Sequence, residues 1–279
     1  MLRTMDLNDR VMVVTGGGSG IGEALVRAGV AAGARHVVAA DLNGAEAARV
    51  AVELGPKVSA VALDVADEAA IRAMVESVED QHGPIDVFCS NAGFVTAAGL
   101  EESNETIDAM WNVHVLSHIY AARAVLPSMI ARGEGYLLNT ASAAGLLTQI
   151  GSMAYSVTKH AAVALAEWLA VTHHHQGIRV SVLCPQAVRT NIIANSPDLA
   201  DQELGDGPAS TDGVIEADEV ARQCLEAMAE ERFWVLPHAE VAEYVNRKAA
   251  DVDRWLAGMR RFQDRLHPDG PLPGDAIAP

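Results

Sequence analysis

The segment "YSVTK", residues 155–159, places a phenol and an ammonium group four residues apart, thirteen residues after Ser142. On an α-helix, residues i and i+4 lie on the same face, so Tyr155 and Lys159 can point at one small volume. A phenol gives up its proton only near pH ~10, but a cation close by favours the phenolate. The spacing therefore predicts either a tuned proton donor and acceptor or two residues on a surface helix.

The composition limits the classes of partner. The chain has 279 residues, half of them hydrophobic, and a formal net charge of −17 from 37 acidic and 20 basic side chains. Such a surface repels phosphate backbones and anionic lipid headgroups, so we expect no nucleic-acid or membrane partner. No apolar run approaches the ~18 residues of a membrane span, and the three cysteines form no CxxC motif. The sequence predicts a cytoplasmic protein.

Short apolar segments alternate with longer segments of helical periodicity. Near-continuous apolar strands separated by amphipathic helices are typical of a parallel sheet covered on both faces. We therefore predict a doubly wound α/β fold of the Rossmann type, which binds ligands at the carboxyl ends of its strands. The strand-like segments are 10–16, 36–41, 57–65, 85–93, 135–142 and 178–185, and the helical ones are 20–34, 43–54, 67–82, 103–131 and 152–176.

The character of the sequence changes after residue 190. Residues 195–213 are polar and rich in Gly, Pro, Asp and Ser, and loops of this length are usually lids or disordered segments. We predict a catalytic domain at 1–237 with a substrate lid near 190–215, and a helical extension at 238–279. The elements expected after the lid are a helix at 217–230, a short strand at 232–237 and an amphipathic helix at 239–266. The aromatic residues Trp234 and Trp255 in this part either close over the substrate or form core or subunit contacts.

The first predicted strand ends in "TGGGSGIG", Thr15 to Gly22, and a helix follows it. Glycines allow a sharp turn and bring backbone N–H groups close to a pyrophosphate, and the helix N-terminus adds the positive end of its dipole. Glycines also serve plain tight turns. The position between a strand and a helix favours a phosphate-binding turn.

Asp41 ends the second predicted strand, nineteen residues beyond Gly22. A carboxylate at this position can accept hydrogen bonds from the adenosine ribose hydroxyls and would repel a 2′-phosphate. The alternative is an aspartate that caps the helix beginning near Asn43. The spacing favours the ribose role, and therefore NAD over NADP.

The glycine-rich turn, the "NAG" at 91–93, Ser142 and the YxxxK motif occur together in this order. Their combination resembles the short-chain dehydrogenase/reductase family from about residue 8 to residue 190. The resemblance implies that Asp64 and Val65 contact adenine and that Thr190 lies near the nicotinamide carboxamide. The full set of implied cofactor-binding residues is Gly16, Gly18, Ser19, Gly20, Ile21, Gly22, Asp41, Leu42, Asp64, Val65, Asn91, Ala92, Gly93, Tyr155, Lys159, Pro185, Val188 and Thr190.

The same resemblance implies three catalytic roles. Ser142 would hydrogen-bond the substrate oxygen, Tyr155 would be the acid/base, and Lys159 would hold the nicotinamide ribose and lower the pKa of Tyr155. Taken singly, Ser142 could be a cap at the approach to a helix and Lys159 a solvated surface lysine. Their joint occurrence favours catalysis.

His114 departs from the family pattern. The family usually carries an asparagine thirteen residues before the proline of its "LP.M" stretch, and here that count from Pro127 reaches His114. The family's asparagine bends its helix and anchors a water that relays protons to the lysine. A histidine can also donate and accept, but it titrates near pH ~6.5. His114 is therefore either a catalytic relay residue or a hydrogen-bonded core histidine.

Gln186 replaces the glycine of the family's Pro-Gly pair and places a side chain at the mouth of the nicotinamide pocket. It either contacts substrate or points to solvent. Together with Ser142, Tyr155, Leu146 and Met153 it forms the predicted substrate set. The positions expected near the substrate are mostly apolar and include no arginine or lysine, so we expect an uncharged, hydrophobic small molecule.

Three consecutive histidines, His173 to His175, raise the question of a metal site. Consecutive side chains on a helix fan out around it, so they cannot converge on one ion as histidines at i and i+4 can. A helix C-terminus before Gly177 is the better account. We predict no metal site.

The predicted activity is reversible, NAD-dependent oxidation of a hydrophobic secondary alcohol to its ketone. A physiological ketone reductase using the same site is one alternative. A non-catalytic dinucleotide-binding sensor or scaffold is another, and the intact Ser142, Tyr155 and Lys159 argue against it. Because the resembled family forms dimers and tetramers, and because the helices at 103–131 and 152–176 are rich in alanine, we expect a homodimer or homotetramer.

Overall fold

A computed structural model describes residues 5–192, 196 and 208–268. The strands in these residues are Val11–Thr15 (β1), His36–Asp41 (β2), Val58–Ala62 (β3), Val87–Ser90 (β4), Gly135–Thr140 (β5), Ile178–Leu183 (β6), Val188–Arg189 (β7), Ile215–Glu216 (β8) and Trp234–Val235 (β9). Among the described residues, seven of these strands, all paired in parallel, form one sheet in the order β3-β2-β1-β4-β5-β6-β9, and β7 pairs with β8 in a separate two-stranded sheet. The predicted doubly wound fold is confirmed.

Helices cover the sheet and extend beyond it at the C-terminal end. Most begin and end within a few residues of the positions that the sequence periodicity predicts. They are Gly20–Ala31 (α1), Gly44–Leu54 (α2), Glu68–His82 (α3), Asn104–Trp111 (α4), Ser117–Arg132 (α5), Met153–His173 (α6), Ala217–Ala229 (α7), Glu240–Ala250 (α8) and Val252–Leu266 (α9).

Two predicted helices are each divided in two. The segment 103–131 is interrupted by a π-helical turn, Asn112–Leu116, which contains His114. The segment 239–266 breaks at Asp251, whose backbone is extended (φ −159°, ψ 95°) and whose carboxylate accepts a hydrogen bond from the backbone N–H of Arg254. Apolar periodicity continues through both breaks, because it reports which face is covered and not whether every backbone hydrogen bond is made.

The central strands are apolar on both faces because both faces are covered. In β1 every residue is buried, and successive side chains enter opposite core clusters. Val11 and Val13 pack in one cluster, whereas Met12 and Val14 pack in the other. This alternation follows from the two-residue period of a strand and places the carboxyl ends of the strands at one edge of a rigid platform.

Hydrogen bonds at that edge hold the ends of three strands together. The Thr15 hydroxyl, at the end of β1, accepts from the backbone N–H of Asn91 (2.9 Å). The Asn91 amide donates to the Thr15 carbonyl (3.1 Å) and accepts from the Thr140 hydroxyl at the end of β5 (3.1 Å). Asn91 follows β4, so one side chain joins β1, β4 and β5 beside the crevice where the strand order reverses.

Helix α6, which carries Tyr155 and Lys159, ends in the histidine segment. A 3₁₀ turn, His174–Gln176, continues α6 as far as Gly177, whose φ of 84° is left-handed. This is the predicted helix C-terminus. A Cβ at Gly177 would lie 1.8 Å from the Gly133 carbonyl oxygen, so the turn into β6 also requires close backbone approach.

We expect Gly177→Ala to lower the free energy of unfolding by about 2–5 kcal/mol, since it adds a steric clash to the cost of a left-handed alanine. Gly133→Ala is the matched control. Gly133 is also left-handed (φ 71°), but a Cβ added there would meet no atom within 4 Å. We expect this control to cost only about 1–2 kcal/mol. Urea unfolding measures both, and equal losses would show that the contact with Gly133 does not constrain the turn.

Candidate active site

The glycine-rich turn forms a cradle that side chains would fill. Gly16 and Gly20 have φ values of 66° and 53°, and a Cβ at Gly20 would lie 2.9 Å from the Thr190 Cβ atom. Helix α1 begins at Gly20, and its N-cap, Ser19, makes no side-chain capping hydrogen bond. The N–H groups of the first turn therefore have no side-chain cap and can receive a phosphate, as a dinucleotide cofactor requires.

Asp41 hydrogen-bonds to the glycine-rich turn and also lines the cleft. One carboxylate oxygen accepts from the backbone N–H of Gly18 (2.9 Å), and the other accepts from the backbone N–H of Asn43 (2.9 Å). Helix α2 is capped by Asn43 and not by Asp41, so the capping interpretation of Asp41 is wrong. The Asp41 carboxylate instead lies at the wall of the cleft, where the ribose interpretation stays a prediction.

One continuous cavity of about 1980 Å³ runs from this turn to the C-terminal helices. Ordinary small-molecule sites measure roughly 300–1,000 Å³, so this cavity has room for a dinucleotide and a substrate together. Gly18 and Gly22 do not line it, since they shape the turn from behind. The predicted cofactor residues that do line it, besides Tyr155 and Lys159, are Gly16, Ser19, Gly20, Ile21, Asp41, Leu42, Asp64, Val65, Asn91, Ala92, Gly93, Pro185, Val188 and Thr190.

The three predicted catalytic residues converge in the middle of this cavity. The Ser142 hydroxyl donates to the Pro185 carbonyl (3.4 Å) and accepts from the Ala144 N–H (3.1 Å). The Lys159 ammonium donates to the Thr140 carbonyl (3.1 Å) and lies 5.6 Å from the centre of the Tyr155 ring. The i, i+4 spacing on α6 therefore places the cation beside the phenol, as predicted.

Burial changes the acidity of both groups on α6. It raises the pKa of the Tyr155 phenol above its ordinary value of 10.0, and the Ser142 hydroxyl only partly opposes that shift. That Lys159 lowers the pKa of Tyr155 stays a prediction. Burial also lowers the pKa of Lys159 from 10.5 to about 8.

His114 is completely buried, and both of its ring nitrogens are paired. The Phe94 backbone N–H donates to Nε2 (3.2 Å). Nδ1 lies 2.9 Å from the Thr158 hydroxyl, which itself donates to the Ala154 or Tyr155 carbonyl and so accepts from the ring. His114 is thus a neutral imidazole protonated on Nδ1, and burial lowers its pKa well below 6.5.

These contacts match the core-histidine alternative for His114, since neither nitrogen is left to bind a relay water. The ring does not line the cavity, but it meets the Tyr155 ring edge-on, with 5.6 Å between the ring centres. Its contacts with Phe94 and Thr158 join the segment after β4 to α6. His114 is therefore a buried residue that packs against Tyr155.

The predicted substrate residues fall into two groups. Ser142, Tyr155 and Gln186 line the cavity, but Leu146 and Met153 do not. Leu146 packs into a cluster with the C-terminal extension, and Met153, the first residue of α6, faces a smaller pocket of about 240 Å³. Both corrections have one cause: the direction in which a side chain points depends on partners that are distant in the sequence.

The C-terminal extension contributes a wall to the cavity, of which the sequence suggested Trp255; Trp234, the other tryptophan considered, does not line it. Tyr244 on α8 and Trp255, Met259 and Phe262 on α9 line the cavity. The spacing of the three α9 residues, which repeats at four and three positions, is the sequence signal that could have indicated it. The extension also brings arginines to the cavity, although the substrate positions considered from the sequence contained none. They are Arg247, Arg254 and Arg265.

Most of the predicted lid, residues 193–195 and 197–207, lies outside the described residues. Its last part contributes Pro208 to Asp212 to the cavity wall. Across residues 5–192, 196 and 208–268, no group of three His, Cys, Asp or Glu side chains is arranged to hold a metal ion. Over these same ranges, no helix combines the length and the hydropathy needed to cross a bilayer.

Residues 10–200 match the family model for short chain dehydrogenases. The chain belongs to the short-chain dehydrogenase/reductase family. Its fold, its glycine-rich turn and the convergence of Ser142, Tyr155 and Lys159 agree with that membership. The protein is therefore an oxidoreductase that works with a dinucleotide cofactor.

Characterised members of the family show similarity over most of the chain. The 1-deoxy-11-beta-hydroxypentalenate dehydrogenase of Streptomyces exfoliatus is 34% identical over 260 residues, which cover 91% of this chain and 92% of the relative. The meso-2,3-butanediol dehydrogenase of Serratia marcescens is 35% identical over 205 residues, which cover 72% of this chain and 79% of that enzyme.

A solved structure shows the same architecture with a cofactor present. A short chain dehydrogenase/reductase from Burkholderia phymatum, in complex with NAD, is 29% identical and has a TM-score of 0.82. The match covers 89% of this chain and 96% of that one. The likeness extends beyond the family-model residues into the C-terminal part of the chain.

Burial of the Lys159 ammonium should lower the stability of the folded protein at neutral pH. Because its pKa falls from 10.5 to about 8, keeping the amine charged in the folded protein costs roughly 3 kcal/mol at neutral pH. We expect Lys159→Met to abolish turnover but to raise the free energy of unfolding at pH 7 by about 1–3 kcal/mol, after loss of the hydrogen bond to Thr140.

The stability gained by Lys159→Met should depend on pH. The unfolded lysine stays protonated up to pH ~10.5, whereas the folded one loses its proton near pH 8, so the wild type regains this stability as pH rises between those values. The advantage of Lys159→Met should shrink between pH 7 and pH 10 in urea unfolding. Lys57→Met is the control, since Lys57 is exposed and also donates to a carbonyl. An equal gain in the control would contradict the assignment.

Proposed function

We propose that the protein is an NAD-dependent oxidoreductase that interconverts a hydrophobic secondary alcohol and its ketone, with Tyr155 as the acid/base. The observation that carries the proposal is the convergence of Ser142, Tyr155 and Lys159 in a cavity that also contains the glycine cradle and Asp41. Family membership supports the reaction class.

Proton transfer is the task of the side chains. Ser142 and Tyr155 hold the substrate oxygen, and Tyr155 takes the hydroxyl proton during oxidation. Even an unperturbed phenol is ionised in only roughly one molecule in a thousand at pH 7, and burial lowers that fraction further. Lys159 supplies a fixed positive charge beside the phenol. Bound NAD⁺ would supply the hydride acceptor and a second positive charge.

The choice of NAD over NADP rests on Asp41. Its carboxylate lies at the cavity wall beside the glycine turn, where it would repel a 2′-phosphate and accept hydrogen bonds from ribose hydroxyls. Leu42, which follows it, is 77% exposed and offers no positive charge for a phosphate. The NAD held by the Burkholderia phymatum protein is consistent with this preference.

The apolar part of the cavity beyond Tyr155 supports the proposed substrate class, while Arg247, Arg254 and Arg265 add polar groups to the same side. Its walls there include Ala143, Leu147, Trp255, Met259 and Phe262, which favour a bulky apolar body. The two relatives described above are dehydrogenases of a hydroxypentalenate and of a butanediol, and both names indicate oxidation of hydroxyl-bearing small molecules. A ketone reductase that runs the same site in reverse is the alternative within this chemistry.

We also propose that the protein works as a homo-oligomer. Helix α6 carries a stripe of exposed apolar side chains on the side away from the sheet: Val157 is 52% exposed, Trp168 57% and Val171 82%. These residues recur at helical spacing and would be covered by a second copy of the same face.

Turnover of a panel of secondary alcohols with NAD, followed by the absorbance of the reduced cofactor, tests the proposed activity. We expect Tyr155→Phe to lose at least about a hundredfold in kcat, the lower end of what a positioned general base contributes, while NAD still binds. Tyr120→Phe, which changes a half-buried tyrosine on α5, is the control and should keep full activity. Tight NAD binding without turnover of any alcohol or ketone would favour the sensor alternative instead.

The role of Asp41 has its own test. We expect Asp41→Ala to shift the ratio of kcat/KM for NAD over NADP toward NADP by about tenfold or more, because the charge facing the 2′ position is removed. The matched control is Asp67→Ala. Asp67 caps α3 through the same kind of backbone hydrogen bonds but does not line the cavity. An unchanged ratio in Asp41→Ala would count against the ribose assignment.

A further inference from the structure

Gln186, the residue that departs from the family's Pro-Gly pair, is held by two hydrogen bonds. Its backbone N–H donates to Nδ1 of the buried His238 (3.2 Å), and its side-chain amide donates to the Asp212 carboxylate (2.9 Å). The amide oxygen of Gln186 is buried, with no hydrogen-bond partner among the described residues. A glycine here would avoid the cost of that unpaired oxygen but would lack the hydrogen bond to Asp212.

Asp212 connects this loop to the C-terminal extension. Its second carboxylate oxygen accepts from the Tyr244 hydroxyl on α8 (2.9 Å), and both Asp212 and Tyr244 line the cavity. Within the described part of the chain, no lysine or arginine forms an ion pair with Asp212. The carboxylate is therefore used for its two acceptor oxygens, which join segments that lie far apart in the sequence. We call Gln186, Asp212 and Tyr244 the Asp212 bridge.

Backbone hydrogen bonds fix the cofactor side of this bridge. The Ala187 N–H donates to the Ala209 carbonyl (3.0 Å), the Ile215 N–H donates to the Ala187 carbonyl (3.2 Å), and β7 pairs with β8. Asp212 lies between these pairings, so its position relative to the loop after β6 is set by the sheet. Tyr244 belongs to the extension, so its hydrogen bond to Asp212 joins α8 to a position that the backbone already fixes.

On its other side, α8 is tied to the catalytic loop. The Lys248 ammonium donates to the carbonyls of Leu146 (2.7 Å) and Leu147 (3.2 Å), a few residues after Ser142. Val241 and Tyr244 pack with Leu147 in a small apolar cluster. The extension thus meets the reacting centre from two directions, through Asp212 and through the loop at 143–147.

Helix α9 packs against α8. None of its residues is buried, and Trp255, Met259 and Phe262 face the cavity instead of the main core. Trp255 is linked to α8 by packing against Tyr244, with 6.3 Å between the ring centres. A shift of Tyr244 would therefore move the wall formed by Trp255, Met259 and Phe262.

We propose that the Asp212 bridge holds the C-terminal extension over the reacting centre, so that the preference for bulky apolar substrates is set by Gln186, Asp212 and Tyr244 as positioning residues. This inference rests on the proposed function for its substrate class. It predicts that breaking the bridge changes which alcohols are accepted more than it changes the chemical step.

The test compares kcat/KM for 4-cyclohexylcyclohexanol, a bulky alcohol, with that for cyclohexanol, a small one, using NAD. We expect Tyr244→Phe to lower the bulky-to-small ratio by about tenfold, the effect of losing one hydrogen bond to a charged group. Gln186→Gly should lower the ratio in the same direction. Tyr120→Phe is the control and should leave the ratio unchanged. An unchanged ratio in both bridge variants would overturn the proposal.

A double variant separates a positioning role from general destabilisation. Asp212→Ala/Tyr244→Phe should change the ratio no more than Asp212→Ala alone, because both substitutions act through one contact. Additive losses would contradict the bridge.

Hydrogen exchange supplies a readout that does not need turnover. Amides of 240–266 should exchange faster in Tyr244→Phe than in the wild type, while those of the central strands stay protected. If no alcohol is oxidised but this exchange result holds, the proposed function fails and the bridge stands. If alcohols are oxidised but exchange and ratio are both unchanged, the bridge fails and the function stands.

Discussion

A buried ammonium group is the constraint on which the rest of the site depends. Lys159 is only 3% exposed, and its hydrogen bond to the Thr140 carbonyl ties α6 to the end of β5. Burial of a cation is unfavourable, and here it lowers the pKa of the amine to about 8. The same placement sets a positive charge beside the Tyr155 phenol. Desolvation by itself makes that phenol a weaker acid. Stability and the proposed proton transfer are therefore opposed at this residue.

The surrounding polar groups keep that arrangement in one geometry. Asn91 joins the ends of three strands, so the platform beneath Lys159 does not depend on loops. His114 pairs with the Phe94 backbone and with Thr158, one residue before Lys159 on α6. Buried polar groups that are fully paired specify a unique arrangement. The π-helical turn at 112–116 is the local distortion that accompanies His114 in this position.

The extension completes the site from outside the sheet. The sheet provides the crevice proposed for the cofactor, and α6 and the segment after β5 provide Ser142, Tyr155 and Lys159. This platform leaves the side proposed for the substrate open. Helices α8 and α9 close that side with aromatic and sulfur-containing side chains, and they are attached through Asp212, Lys248 and a small apolar cluster. The sheet and the extension therefore suit different tasks. Cofactor binding needs a rigid backbone, whereas substrate choice needs side chains that can differ while the sheet stays fixed.

By itself the sequence determined the alternation of strands and helices, the glycine turn and the shared face of Tyr155 and Lys159, because these follow from periods of two and 3.6 residues and from the conformational freedom of glycine. Only the tertiary structure decided the pKa of Tyr155, the partners of His114, and the directions of Leu146 and Met153. It also placed Tyr244 and Trp255 at the cavity. The physical reason is that periodicity specifies which residues share a face, whereas burial, desolvation and hydrogen-bond partners come from segments distant along the chain.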